Sequence, residues 1–405
     1  MKNVTPEFRD THGSRWFLFV TAFLAGWYIS LCLLHLFSQR PLWMDEEWVF
    51  ASLNSFSATE MFTRPLLHIQ MFPRLYLFMV QKFSQVFDYH LISLRLPSFI
   101  CMIAAFVLWL RIVRLEFPHR LHYFLFVLSW SSSAVFLYYA AELKPYSMDV
   151  LVGALFITFL YHQKSLEEKG GGRYLMILMG LPFLAWFSYM TYLFLVFPFW
   201  NLVLSVKKKR GQMKFLIAFV LAMLTAGGLS YLCDLRFQHG NDLTDHYRMM
   251  GYFISFESFG EFLRTLGDGT MNLFARFHVE RPRLFKGMMI GFAVFGIGYM
   301  FYAFLRHFRQ GKAFGNISAV ALILYFELFL LGALEKYPFT VPRNSLFFAP
   351  FVHFLILKGV LEVQRLNVFV GAGLLGFYVL FLMVCAVGLS RLALAGQFHF
   401  QPVVW

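Results

Sequence analysis

The sequence predicts an all-α polytopic membrane protein with about eleven transmembrane helices, and three observations lead to this fold class. Only 14% of the 405 residues are charged and 59% are hydrophobic, whereas soluble globular chains carry roughly 25% charged residues. Several apolar runs reach the ~20 residues that a helix needs to cross the hydrocarbon core of a bilayer. These runs are rich in Phe and Leu and lack the period-two alternation of a barrel strand, which favours helices.

The first apolar run covers 16–37 and follows a short polar segment that contains Lys2, Arg9 and Arg15. It is longer than the apolar part of a secretory signal and has no obvious small-x-small cleavage site, so we interpret it as an uncleaved signal anchor. Ten more spans are expected at 95–113, 121–139, 146–162, 174–188, 190–206, 214–233, 287–305, 317–334, 346–360 and 367–389. We therefore expect one transmembrane domain over residues 1–405.

Basic residues indicate the orientation of these spans. Lys and Arg accumulate in alternate loops, among them the KKKR run at 207–210, and short basic loops stay on the cytoplasmic side. The N-terminus is expected inside and the C-terminus outside. This topology signal also accounts for much of the net charge of +13, so no nucleic-acid partner is expected.

Two large loops then lie outside, at 38–94 and 234–286. The first contains LLHIQMFPRLYLFMVQKFSQVF, an apolar stretch interrupted by His68, Arg74 and Lys82. Such a pattern is typical of amphipathic helices that lie along the membrane interface.

Three polar clusters reach this outer face. WMDEEWVF at 43–50 carries three adjacent acids, YYAAELKPYSMD follows the third span, and LEKYPFTVPRNS lies between the ninth and tenth spans. Their candidate residues are Asp45, Glu46, Glu47, Glu142, Lys144, Tyr146, Asp149, Glu335, Lys336, Tyr337 and Arg343. An acid triplet beside a span could be a simple interfacial cap, and Glu142 with Lys144 could be a structural ion pair. Convergence of all three clusters on one face favours a functional site.

Carboxylates beside Lys and Arg suit a substrate with an anionic head and an apolar tail. The basic side chains can hold a phosphate, and a carboxylate can take a proton from an acceptor hydroxyl or amine. The sequence contains no P-loop, Rossmann, serine-nucleophile or zinc-protease signature. Displacement of a phosphate from a sugar carbon would use both the acid and the cations.

By its motifs and their order, the chain resembles the GT-C fold membrane glycosyltransferases. The resemblance is to the branch of the protein O-mannosyltransferases and the lipid A aminoarabinose transferase. The motifs are Asp45-Glu46 after the first span, the segment from His68 to Tyr76, RLPS at 95–98, AELKPYSMD at 141–149, and the YPF…R…F…P run from Tyr337 to Pro350. They span roughly residues 16–360. Many relatives carry a tandem proline after the loop histidine, whereas this chain reads HIQMFP.

The resemblance implies transfer of a sugar from a polyprenyl-phosphate donor at the outer face, with Asp45 as the catalytic base or as the residue that orients the acceptor. A lipid or glycan acceptor is expected, because the sequence shows no sizeable soluble domain after the last span. The implied substrate contacts are Glu46, Arg64, His68, Arg74, Glu142, Lys144, Tyr146, Asp149, Lys336, Tyr337 and Arg343. Among them Lys144, Arg343, Arg64 and Arg74 are candidates for the donor phosphate, and Glu142, Tyr146, Asp149 and Tyr337 for the sugar.

No metal or other cofactor is expected, although three neighbouring carboxylates would suit a divalent ion. The expected location is a bacterial inner membrane with the site facing the periplasm.

Two alternatives remain open. An O-antigen ligase or polymerase would use a polyprenyl-pyrophosphate donor and rely on an Arg-rich outer loop, but 234–286 mixes acids and bases. A lipid-linked sugar transporter would place acids along a water-filled path at mid-membrane, whereas Asp45 and Glu142 map to one rim. No internal repeat is visible, although many transporters have one.

Overall fold

The computed structural model describes residues 14–117, 119–169, 171–208, 212–237, 240–275, 283–309, 316–339 and 343–396. Over these ranges the chain is helical and forms no strand, which confirms the all-α class. Of the basic residues used above to orient the chain, Lys2, Arg9, Lys209 and Arg210 lie outside the described residues.

Six helices are long and apolar enough to cross a membrane, as expected for a polytopic membrane protein. They cover Trp16–Phe37, Leu91–Glu116, Met213–Phe237, Gly287–His307, Leu346–Leu366 and Val368–Leu394, and two shorter apolar helices cover Thr191–Lys207 and Ile317–Ala333. Each overlaps one of the predicted spans. The count of eleven and the orientation stay predictions.

The described residues form eighteen α-helices. Their bounds are α1 Ser14–Phe37, α2 Met44–Ser55, α3 Ala58–Thr63, α4 Arg74–Gln85, α5 Leu91–Glu116, α6 Arg120–Ser131, α7 Ala134–Tyr139, α8 Tyr146–Lys169, α9 Gly171–Gly180, α10 Thr191–Phe194, α11 Val196–Lys208, α12 Met213–Cys233, α13 Gly240–Met249, α14 Phe259–Ala275, α15 Arg283–Arg309, α16 Ile317–Ala333, α17 Ala349–Leu366 and α18 Val368–Leu394. The most extensive contacts join α5 to α8, α15 to α17 and α17 to α18.

Several predicted spans are interrupted in the structure. The span at 121–139 is divided into α6 and α7 by Ser132 and Ser133. The Ser132 hydroxyl donates to the carbonyl oxygen of Ser129 at 3.0 Å, and such bonds compete with the helical backbone pattern. The region 174–206 is divided into α9, a 3-10 segment at Leu181–Trp186, α10 and α11. Pro182 lies at the start of that segment and lacks the N–H that a continuous helix needs.

The loop at 38–94, which the sequence predicts to be the first outer loop, folds mainly into α2, α3 and α4 with a 3-10 turn at Leu67–Ile69. Its apolar side chains form a hydrophobic cluster of their own, which includes Leu53, Met61 and Val80. Leu143, from the turn before α8, belongs to the same cluster. The loop is therefore packed against the turn that carries the second polar cluster.

Helix α17 passes unusually close to α15 at Gly359. A Cβ atom at this position would lie 2.5 Å from the carbonyl oxygen of Phe295. We expect Gly359→Ala to destabilise the protein by about 1–3 kcal/mol, because the two helices would have to separate. Thermal unfolding in detergent measures this, with Gly298→Ala on α15 as the matched control, since nothing lies within 4 Å of a Cβ there. Equal melting temperatures for the two variants would contradict the close approach.

Candidate functional site

The acid triplet lies in the first turn of α2, where the positive end of the helix dipole favours carboxylates. Successive residues of a helix point in directions about 100° apart, so the three acids have different surroundings. Asp45 and Glu46 are buried, and Glu47 is exposed. Within the described residues, no group of three or more His, Cys, Asp or Glu side chains is placed to hold a metal ion.

Asp45 is the point at which the three polar clusters meet. Its Oδ2 atom accepts hydrogen bonds from Nζ of Lys144 at 2.7 Å and from Nη1 of Arg343 at 2.6 Å. Lys144 lies in the turn between α7 and α8, and Arg343 lies between α16 and α17. We call Asp45, Glu142, Lys144 and Arg343 the Asp45 cluster.

Three aromatic rings surround the Lys144 ammonium. Its Nζ lies 5.3 Å from the ring centroid of Trp43, 5.4 Å from that of Phe72 and 5.7 Å from that of Tyr146. Contacts of this kind attract a cation to the ring face. The Lys144 side chain is 2% exposed, so the cation is fixed in place and has little contact with water. Burial lowers the pKa of Lys144, and the neighbouring Asp45 opposes this effect.

Asp45 is ionised at neutral pH. Burial by itself would raise the pKa of its carboxyl group, but Lys144 and Arg343 together outweigh burial and hold the pKa below its usual value. The cluster therefore contains a carboxylate whose charge is stabilised by two cations from distant parts of the chain.

Glu142 has a different environment. Its Oε1 accepts a hydrogen bond from Nε1 of Trp43 at 3.1 Å, and its Oε2 is buried without a hydrogen-bond partner among the described residues. Burial raises the pKa of Glu142 to about 7, against the opposing effect of Lys144. A large fraction of Glu142 is therefore protonated near neutral pH.

Behind the cluster, Glu46 joins two buried arginines. Its carboxylate accepts from Arg40 Nη1 at 3.0 Å, from Arg95 Nη2 at 2.7 Å and Nε at 3.0 Å, and from the backbone N–H of Leu143 at 2.8 Å. Arg95 also donates to the carbonyl oxygens of Arg40 and Pro41. These bonds hold the entry to α2 against α5 and the turn before α8. Glu46 thus ties three segments of the chain together, and its predicted substrate contact stays a prediction.

The RLPS motif at 95–98 contributes a second anchor. Ser98 Oγ donates to the carbonyl oxygen of Lys144 at 2.9 Å and lies 2.8 Å from the hydroxyl of Tyr76. Arg95 and Ser98, three residues apart on one face of α5, hold α2 and the Lys144 turn respectively. The motif therefore holds in place the two segments that carry Asp45 and Lys144.

Tyr337 lies close to the Arg343 segment, and Asp149 is bonded to a residue outside the cluster. The Tyr337 hydroxyl donates to the carbonyl oxygen of Asn344 at 2.5 Å, next to Arg343. Asp149, in the first turn of α8, accepts from Ser188 Oγ at 2.6 Å. Both side chains are therefore tied to neighbouring segments, and their predicted sugar contacts stay predictions.

Three predicted substrate contacts lie at other places in the structure. Arg64 is exposed and pairs with Glu60 at 2.7 Å. His68, with a φ of 57°, stacks on Trp48 with ring centroids 5.7 Å apart. Lys336 is exposed in the turn after α16. The structure does not bring these side chains into the Asp45 cluster. The sequence could not show this, since the position of a loop residue in the chain does not define where its side chain points.

Arg74 belongs to a separate buried group. Its Nε donates to Oδ1 of Asp234 at 3.2 Å, and the Tyr189 hydroxyl donates to Oδ2 of the same carboxylate at 2.7 Å. Arg74 Nη1 donates to the carbonyl oxygen of Met61 at 3.1 Å. This group joins the loop at 38–94 to the C-terminal end of α12, so Arg74 is engaged there and not with Asp45.

The sequence reasoning missed the aromatic contacts of the cluster. Trp43 and Phe72 are not among the site residues predicted above, yet both face the Lys144 ammonium. Tyr247 on α13 accepts from Asn344 Nδ2 at 3.5 Å, which places part of the loop at 234–286 against the Arg343 segment. Trp43 lies next to the acid triplet in the sequence, and this adjacency is a signal that could have placed Trp43 in the site.

Comparisons of the chain with protein-family models, with curated proteins and with solved structures find no match. The function of the Asp45 cluster is therefore inferred from its own geometry and charge.

Proposed function

We propose that the protein is a GT-C-type membrane glycosyltransferase that moves a sugar from a polyprenyl-phosphate donor to a lipid or glycan acceptor. The site would face the outside of a bacterial inner membrane. The observation that carries this proposal is the bridging of the buried Asp45 carboxylate by Lys144 and Arg343. One small volume thereby holds a base for the acceptor and two cations for an anionic donor.

The charge of the cluster supports a monophosphate donor. Asp45 contributes one negative charge and Lys144 and Arg343 contribute two positive charges, so one positive charge remains when Glu142 is protonated. The phosphodiester of a polyprenyl-phosphate sugar carries a single negative charge, and a pyrophosphate-linked donor carries two. The charge balance therefore favours this donor over that of an O-antigen ligase.

Donor binding would also activate the base. A phosphate that accepts hydrogen bonds from Lys144 and Arg343 competes with Asp45 for the same N–H groups and leaves the Asp45 carboxylate less stabilised. Because those two cations hold its pKa down, sharing them with the phosphate raises the pKa of Asp45. The carboxylate becomes a better proton acceptor only when the donor is in place.

The reaction then follows from these positions. Asp45 takes the proton of an acceptor hydroxyl or amine while that oxygen or nitrogen forms a bond to the anomeric carbon of the sugar. The bond between this carbon and the phosphate oxygen breaks, and its electron pair leaves with the polyprenyl phosphate. Lys144 and Arg343 stabilise the negative charge that develops on the leaving phosphate.

A transfer assay tests the proposal. Purified protein is incubated with a panel of radiolabelled polyprenyl-phosphate sugars and membrane-lipid or glycan acceptors, and the label is expected to move covalently to one acceptor class. Movement of labelled lipid across a bilayer with no bond broken would contradict the proposal and favour the transporter. Transfer only from pyrophosphate-linked donors would favour the ligase.

Arg343→Ala is expected to weaken donor binding about 10- to 100-fold, since a hydrogen bond to a charged group contributes about 1.5–3 kcal/mol. The dissociation constant is measured with an unreactive donor analogue in detergent. Lys336→Ala is the matched control, because it removes one exposed positive charge from the same segment and should leave binding unchanged. An equal loss in both variants would show that overall charge, and not the contact at Arg343, controls affinity.

A further inference from the structure

The Glu142 carboxyl group has two unlike oxygens. An indole N–H can only donate a hydrogen bond, so Oε1, which faces Trp43 Nε1 at 3.1 Å, must act as an acceptor. The proton of a neutral Glu142 therefore belongs on Oε2. That oxygen is fully buried and has no hydrogen-bond partner among the described residues.

A buried hydroxyl proton without an acceptor is costly, and a ligand oxygen would satisfy it. Glu142 lies two residues from Lys144, whose carbonyl and ammonium groups are both fixed. We propose that Glu142 is a donor-binding residue that acts as a neutral acid, with Oε2–H donating to a non-bridging oxygen of the donor phosphate. This inference rests on the proposed function and adds a third hydrogen-bond donor to Lys144 and Arg343.

Protonation of Glu142 should then control donor affinity. The charged groups that face it are Lys144, Arg40, Arg343 and Glu46, and the phenols of Tyr76, Tyr138, Tyr139 and Tyr146 lie around it. Ionisation of Glu142 removes the Oε2 proton and also cancels the one excess positive charge of the cluster. Both effects disfavour an anionic ligand, so donor affinity should fall as the pH rises through about 7.

The test measures binding of undecaprenyl-phosphate glucose at about pH 6 and about pH 8.5. This probe is a phosphodiester, so its single negative charge does not change over that range. For the wild type we expect the dissociation constant to rise about tenfold with pH, as one hydrogen bond to a charged group is lost. Glu142→Gln keeps an N–H donor and does not ionise, so its affinity should stay near the wild-type value at pH 6 and hardly change with pH. Glu142→Ala should bind weakly at both pH values.

The outcomes separate this inference from the proposed function. If the folded wild type binds neither this probe nor any other polyprenyl-phosphate sugar of the panel at either pH, the proposed donor is wrong and the role of Glu142 falls with it. If the wild type binds and Arg343→Ala does not, but affinity is independent of pH, only the role of Glu142 is overturned. The role of Glu142 is also overturned, and the proposed function is not, if Glu142→Gln melts at the wild-type temperature but binds the probe as weakly as Glu142→Ala.

Discussion

Asp45→Asn is expected to reduce turnover by about 100-fold or more, the lower range for the loss of a positioned general base. Asparagine has nearly the same size and keeps an oxygen that can accept from Lys144 or Arg343, but it takes no proton from the acceptor. In the proposed reaction the variant also removes the negative charge that would compete with the donor phosphate for Lys144 and Arg343. Donor affinity should therefore be unchanged or tighter, and the loss should appear in kcat.

The measurement combines a steady-state transfer assay with a direct determination of donor affinity. Glu47→Gln is the control, since it makes the same acid-to-amide change two residues further along α2 at an exposed position, and it should keep full turnover. Wild-type turnover in a folded, donor-bound Asp45→Asn protein would overturn the assignment of the base. A parallel loss of donor binding would instead indicate that Asp45 organises the cations.

The outcome for Lys144 shows how far sequence reasoning reaches in this chain. The orientation argument predicted that three polar clusters share one face, and the structure brings one residue from each into contact. The pairing itself was not predictable, because Lys144 lies two residues from Glu142 and 99 residues from Asp45. Tertiary packing of the first outer loop against the turn before α8 selects the distant partner.

Helix geometry separates the three acids of the triplet. Three consecutive acids look equivalent in the sequence, but the first turn of α2 directs Asp45 to the cations, Glu46 to the interior and Glu47 to the surface. Their assignment depends on the residue at which the helix begins, and a boundary shifted by one residue would exchange their roles. The fold class needed only composition and the length of apolar runs, which are insensitive to such shifts.

The RLPS motif illustrates a similar limit. In the sequence it opens a membrane span, and its arginine is indistinguishable from an interfacial arginine that extends to lipid head groups. In the structure Arg95 is fully buried against Glu46. A buried cation requires a buried partner, but nothing local to 95–98 indicates that this partner lies 49 residues earlier.

The second large effect is a loss of stability, and it is expected when Glu46, the partner of Arg95, is replaced. Glu46→Ala should destabilise the protein by about 3–5 kcal/mol, because it leaves buried Arg40 and Arg95 with no carboxylate between them. Glu46→Gln should also be strongly destabilised, since an amide offers one acceptor oxygen where two arginines and the N–H of Leu143 require more. Thermal unfolding in detergent, together with the yield of monodisperse protein, measures both variants.

The pH dependence of stability distinguishes loss of charge from loss of packing. Burial alone would raise the pKa of Glu46, but the hydrogen bond from Arg95 and the charge of Arg40 outweigh burial and hold it below the ordinary value of 4.5. The stabilisation is therefore complete above about pH 4.5 and is lost as the pH falls through the lower, folded-state pKa. Wild-type protein should lose its stability advantage over Glu46→Gln under these acidic conditions. Glu47→Ala, on the exposed side of the same turn, is the control. It should change the free energy of unfolding by no more than about 0.5 kcal/mol, both above pH 4.5 and under the acidic conditions. If Glu46→Ala melts at the temperature of Glu47→Ala, the buried arginines do not depend on Glu46, and the positioning role given to it is wrong.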